Sequence, residues 1–152
     1  MKGWASLMPR RGRSVTRLGV ATALVLGSFL ILPVAPASAA ASDCNATQLC
    51  VWVNINYNGG PGRFTGSNSN WNNFPHPACP YNGTWNNCAS SAVNDGTSGL
   101  GVQLWETIGY HDGVFCLPQF AQVADFTNRQ FNNGHNLNDR VSANKWTSAC
   151  HD

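Results

Sequence analysis

Two six-residue stretches concentrate the side-chain oxygens of this chain. Asn86-Asn87-Cys88-Ala89-Ser90-Ser91 carries two amides and two hydroxyls, and Asn138-Asp139-Arg140-Val141-Ser142-Ala143 repeats the pattern 52 positions later. Calcium takes six to eight hard oxygens. Asn86, Asn87, Ser90, Asn138, Asp139 and Ser142 are therefore the candidate metal ligands, with backbone carbonyls making up the number. Of the four Asn/Asp heads only Asp139 is a carboxylate, so the expected affinity is weak, roughly millimolar. The competing reading is a pair of structural turns, in which the same side chains bond nearby backbone.

Other chemistry finds less support. His76, His111, His135 and His151 show neither H-E-x-x-H spacing nor a Ser partner in a nucleophile elbow. Glu106 and Asp112 are the one close pair of acids near a hairpin, and nothing else supports them as a glycosidase couple. No catalytic residue and no required cofactor are expected, and the chain is read as a non-enzyme.

The elements that position these turns begin after a leader. Met1 to Arg17 holds five cations and no acid, Leu18 to Leu32 is an apolar run of 15 residues, and Ala37-Ser38-Ala39 closes it. That order is a secretory signal peptide over residues 1–39, with cleavage after Ala39 or Ala41. The run is shorter than the ~20 residues a membrane span needs. The mature chain then keeps four cations, Arg63, Arg129, Arg140 and Lys145, against seven acids, a net charge of −3. Nucleic-acid binding loses its electrostatic basis, and no membrane association is expected after the leader is removed. The expected product is secreted, extracellular and monomeric.

Residues 40–152 form one domain holding all six cysteines. An even count in an exported chain argues for three disulfides. Six cysteines allow fifteen pairings, and the sequence does not choose among them. The set without nesting, Cys44–Cys50, Cys79–Cys88 and Cys116–Cys150, is the expectation. No C-x-x-C pair supports a metal site instead.

No helical stripe is present. Short runs of strand formers, LCVWVNI from Leu49, LGVQLW from Leu100 and VFCL from Val114, alternate with Asn- and Gly-rich turns. In the first, Leu49, Val51, Val53 and Ile55 share one face and Cys50, Trp52 and Asn54 the other. Residues 75–85 (PHPACPYNGTW) read as a loop. Trp52, Tyr57 and Gly60 recur as Trp105, Tyr110 and Gly113, 53 positions on. The domain is thus two copies of one unit, about 44–95 and 96–152. Each opens on an aromatic hairpin and closes on an oxygen-rich turn. Ser90 and Ser142 are expected to tie each folded hairpin to the later strand. Trp71 and Trp85 flank a loop and are expected to be the freer tryptophans. The fold class is all-β, two Greek keys packed as a disulfide-stapled sandwich.

Trp52-Val-Asn-Ile-Asn-Tyr57-Asn-Gly59 resembles the hairpin signature of the βγ-crystallin superfamily, with Asp112 replacing the matching glycine in the second copy. The two oxygen-rich stretches resemble that superfamily's cation motif, the second lacking its final Ser. The resemblance implies that the two turns exchange ligands. Cys44-Asn-Ala-Thr-Gln-Leu-Cys50-Val-Trp, Asn56-Tyr57-Asn58-Gly59-Gly60 and Asn138-Asp139-Arg140-Val141-Ser142 further resemble exported bacterial proteins of peptidase inhibitor family 36, whose type member acts on metalloproteinases.

The resemblance implies an inhibitor of an extracellular protease, with a metalloprotease as the target class. It acts through a rigid segment whose ordering cost is met in advance by disulfides and a sheet. It also implies a reactive bond beside a half-cystine. Phe115, Cys116 and Leu117 are the expected inhibitory loop, with Cys116 as tether. The alternatives are a weak calcium-binding crystallin module without inhibitor activity and a killer-toxin-like antimicrobial. The charge of −3 argues against attraction to anionic membranes in the latter.

Overall fold

A computed structural model describes residues 40–150. The expected leader, residues 1–39, lies outside the described residues, as do His151 and Asp152. Among the described residues no helix is long and apolar enough to cross a membrane.

Among the described residues seven strands form two antiparallel sheets. β1 (Leu49–Asn54) pairs with β2 (Asn58–Phe64) on one side and β3 (Ser91–Asn94) on the other, and β3 pairs with β6 (Gln122–Val123). The second sheet places β4 (Gly101–Thr107) between β5 (His111–Leu117) and β7 (Ala143–Thr147). By sequence β6 belongs to the second repeat, yet it completes the first sheet. In return Asn68 of the first repeat bridges Asn144 of β7. Each Greek key lends its third segment to the other, which explains how two units of about 50 residues share a single core.

The alternation in β1 serves two cores. Leu49 and Val51 enter the main core with Val102, Leu104, Leu117 and Val141, while Cys50 and Trp52 pack with Cys44 and Val93. Both faces of the strand are covered, so four consecutive residues are buried. The aromatic hairpins behave alike in the two copies. Trp52 and Tyr57 meet edge to face at 5.2 Å between ring centroids, and Trp105 and Tyr110 lie 6.1 Å apart. The hairpin needs left-handed backbone where the first copy has Gly59, at φ 94°. Asp112 supplies it in the second copy at φ 59°, an option short polar side chains tolerate better than most.

The structure departs from two expectations. Trp71 and Trp85 are 0 and 3% exposed and belong to the main core. Trp71 stacks on Phe64 at 4.7 Å and its indole nitrogen donates to Asn144 Oδ1 at 2.9 Å. Trp85 lies so close to Gly62 that a Cβ there would collide with the indole. The residue tying the first hairpin is Ser91, not Ser90. Its hydroxyl donates to Asn54 O at 2.8 Å and accepts from Tyr57 N at 3.2 Å. The second copy has Ala143 at this place and lacks the tie.

Three disulfides staple the sheets: Cys44–Cys50, Cys79–Cys88 and Cys116–Cys150. The second pins the loop at 75–85, and the third joins β5 to the end of the segment following β7.

Candidate functional site

The two oxygen-rich turns face each other through reciprocal bonds. Asn87 N donates to Val141 O and Asp139 N to Ala89 O, both at 3.0 Å. Ser90 N donates to Trp52 O and Ser142 N to Trp105 O, both at 2.8 Å. Each turn also receives a short 3-10 element from the other copy. Trp71 N donates to Ser142 O and Phe126 N to Ser90 O, both at 2.9 Å. Those elements, Trp71–Asn73 and Phe126–Asn128, are capped by Asn70 and Asp125, which accept from Asn72 N and Thr127 N.

Side chains cross as well. Ser142 Oγ donates to Asn87 Oδ1 at 3.1 Å, and Ser90 Oγ reaches Asp139 Oδ1 at 3.4 Å. Asn87 and Asp139, the second head of each turn, both hold left-handed backbone at φ 58° and 53°. The structure thus brings Asn87, Ser90, Asp139 and Ser142 together. The first heads, Asn86 and Asn138, present buried Oδ1 atoms that no protein donor reaches. A buried acceptor without a partner costs free energy, and an ion or water is what such an atom invites.

Glu106 adds a second carboxylate beside the turns, at a place the repeat does not mark. A cleft of about 350 Å³ beside the second turn is lined by Asn87, Glu106, Thr107, Asp139 and Arg140. Glu106 Oε1 accepts from Arg140 Nη1 at 2.9 Å and meets His135 Nδ1 at 2.8 Å, while Asn133 Nδ2 donates to Oε2 at 2.7 Å. Burial alone would raise its pKa. The three hydrogen bonds and the charge of His135 outweigh it, and the pKa falls below the ordinary value. Thr107 Oγ1, next in sequence, is buried without a partner. The matching position in the first copy is Val53, so this acid is specific to the second copy and invisible to the repeat pattern.

Asp139 behaves oppositely. Burial raises its pKa, and the bonds from Ser90 and Asn138 offset only part of that. Calcium would find hard oxygens in this cleft from Asn87, Asp139 and Thr107. The donor set fits a weak site, because the Glu106 oxygens are already held by three donors and the remaining carboxylate ionises at a cost. Among the described residues no group of three or more His, Cys, Asp or Glu gathers as a metal cluster.

Phe115, Cys116 and Leu117 do not form a loop. They are ladder residues of β5, opposite Leu104, Gln103 and Val102. Leu117 is 1% exposed and half-buried Phe115 packs on the main core. The alternating apolar pattern that marked the segment is that of a strand, and Leu117 offers no surface to a partner. Asp112 is exposed while Glu106 is buried in its ion pair, so the two acids sit in different environments.

The exchanged third segments and the paired Ser-bearing turns are those of the βγ-crystallin fold. A solved βγ-crystallin structure concerned with the evolution of the eye-lens domain fold superposes with a TM-score of 0.53 at 18% identity, covering 68% of this chain and 89% of that one. A βγ-crystallin from Ciona intestinalis (TM-score 0.47, 12% identity, 66% and 99% covered) and a domain from Clostridium beijerinckii (0.46, 16%, 67% and 99%) are similar in structure as well. No curated protein matches the chain by sequence. Residues 37–117 match the family model of peptidase inhibitor family I36, and the chain belongs to that family.

Proposed function

We propose that this chain is a secreted inhibitor of extracellular proteases, with metalloproteases as its target class. Membership in peptidase inhibitor family I36 is the observation that carries the reading. The physics of the scaffold supports it. Three disulfides and two sheets sharing one core leave little conformational entropy to lose on docking. Disulfides of this density also suit an oxidising, extracellular compartment.

The test is a panel of proteases of the metallo, serine, cysteine and aspartic classes, each incubated with the oxidised protein at increasing ratios. The reading expects loss of activity in the metalloprotease arm. Full activity in every arm at tenfold excess of the protein contradicts it.

A second reading is favoured by one observation, the two orphaned amide oxygens of Asn86 and Asn138. In it the turns hold calcium weakly. The ion would replace missing donors and add electrostatic cross-linking between the two Greek keys. It is compatible with inhibition, since it would stabilise the same scaffold.

A further inference from the structure

Between β5 and β6 the chain makes a turn that breaks the symmetry of the two copies. Four positions separate Phe64 from Asn68 in the first copy, and six separate Leu117 from Val123, their counterparts in the second. The first connection reads Thr65-Gly66-Ser67, whereas the second reads Pro118-Gln119-Phe120-Ala121-Gln122. Phe120 is 64% exposed. It also sits at φ 59°, in a turn closed by Ala121 N donating to Pro118 O at 3.1 Å. That third turn position is one where positive φ ordinarily calls for glycine, and a bulky side chain there is a conformational outlier.

The turn is braced from below. Asn94, 0% exposed, aims its Nδ2 at the carbonyls of Leu117 and Pro118, at 3.1 and 3.0 Å. Its backbone N donates to Ala121 O at 3.0 Å, and Gln119 Nε2 donates to Gly96 O at 2.8 Å. Cys116, two residues before Pro118, is tied to Cys150. A buried carboxamide thus holds successive carbonyls at the start of the turn. The left-handed backbone and the exposed ring are braced by Asn94 and Gln119, and such outliers accumulate where a molecule makes contact.

We propose that residues 118–121 are the protease-contacting turn of this inhibitor, with Phe120 as an aromatic anchor for an apolar pocket of the protease. The inference rests on the inhibitor reading above. A rigid aromatic of this kind gives contact area at small ordering cost, which is what anchors at interfaces supply. Tyr81, 73% exposed, is the competing aromatic. It stands on the loop pinned by Cys79–Cys88, beside Gly83 at φ 67°.

The experiment measures inhibition of a thermolysin-like metalloprotease by the oxidised protein and by Phe120→Ala, Phe120→Gly and Tyr81→Ala, together with the melting temperature of each. Phe120→Ala and Phe120→Gly are expected to weaken inhibition about 30-fold or more. Phe120→Gly should melt no lower than wild type, because glycine relieves the positive φ. Tyr81→Ala should inhibit within about threefold of wild type. Inhibition by both Phe120 variants at the wild-type level overturns this inference and leaves the inhibitor reading standing. Loss of inhibition in Tyr81→Ala with retention in Phe120→Ala also overturns it. A wild-type protein that inhibits no protease of the class overturns both.

Discussion

Ser142 Oγ donates to Asn87 Oδ1 across 3.1 Å, and the two residues belong to different Greek keys. The hydroxyl of one copy therefore secures the turn of the other. Ser142→Ala removes the donor and leaves the amide oxygen without it, a loss of about 1–2 kcal/mol in unfolding free energy. Ser90→Ala should cost less, because its bond to Asp139 is long at 3.4 Å. A double-mutant cycle on Ser142 and Asn87 by denaturant unfolding should give a coupling of about 1 kcal/mol. Additive single effects would show that the crossing bond does not couple the copies.

Ser91 ties the first hairpin alone. Ser91→Ala gives the first copy the residue found in the second and removes the hydroxyl bonds to Asn54 O and Tyr57 N. Stability should fall by about 1–2 kcal/mol. Thermal melting of the variant checks this, and an unchanged melting temperature would assign the hairpin's bend to Trp52–Tyr57 packing instead.

Glu106 and Asp139 make opposite contributions with pH. The Glu106 pKa is held below its ordinary value of 4.5. Its stabilisation is complete above the unfolded pKa and is lost as pH falls through the folded one. Glu106→Gln should lower stability at pH 7 by about 1–2 kcal/mol and flatten the acid limb of the stability curve. The Asp139 pKa is raised by burial, so its carboxylate costs stability above the folded pKa and the cost is relieved as pH falls through it. Asp139→Asn should raise stability at pH 7 by less than about 1 kcal/mol, since the group remains partly screened by solvent. Denaturant midpoints from pH 3 to pH 7 read both signs.

Calcium separates ion site from plain turn. With a dissociation constant of roughly 1 mM, about 10 mM calcium should add ~1.4 kcal/mol to unfolding free energy. Asp139→Asn should abolish that increment. An identical melting temperature in calcium and in chelator would reduce the two turns to architecture.

The Cys116–Cys150 bond closes the longest loop, a separation of 34 residues. Replacing both cysteines by serine should cost up to about 4 kcal/mol on the chain-entropy model. It should also loosen the 118–121 turn, seen as faster amide exchange at Ala121. Unchanged exchange there would leave Asn94 as the turn's sufficient brace.

What could be read from the sequence was what repeats. Trp52 and Trp105, Tyr57 and Tyr110, and the two oxygen-rich stretches recur at nearly constant spacing, so the double Greek key was legible from periodicity. The exchange of third segments was not, because in the first copy it shrinks to the single Asn68–Asn144 bridge. Residues specific to one copy were equally hidden. Glu106 stands where the other copy has Val53, and Phe120 has no counterpart in the shorter first connection, its exposure depending on a φ and a brace that no repeat spells out. Trp71 lay among asparagines, a polar neighbourhood that concealed its burial: Asn72 and Asn73 stay exposed while Asn70 caps the short turn that points the indole inward. Phe115 to Leu117 showed why apolar alternation beside a cysteine reads as strand before it reads as loop.

The central claim is that a pre-organised, oxidised scaffold inhibits a metalloprotease. The direct measurement is a titration of a thermolysin-like enzyme of known active-site concentration with the oxidised protein and, in parallel, with the reduced and alkylated protein. The account predicts a fall in activity that reaches its floor near one inhibitor per enzyme for the oxidised form and at least about tenfold weaker inhibition for the reduced form. Full enzyme activity at a stoichiometric excess of the oxidised protein would contradict it.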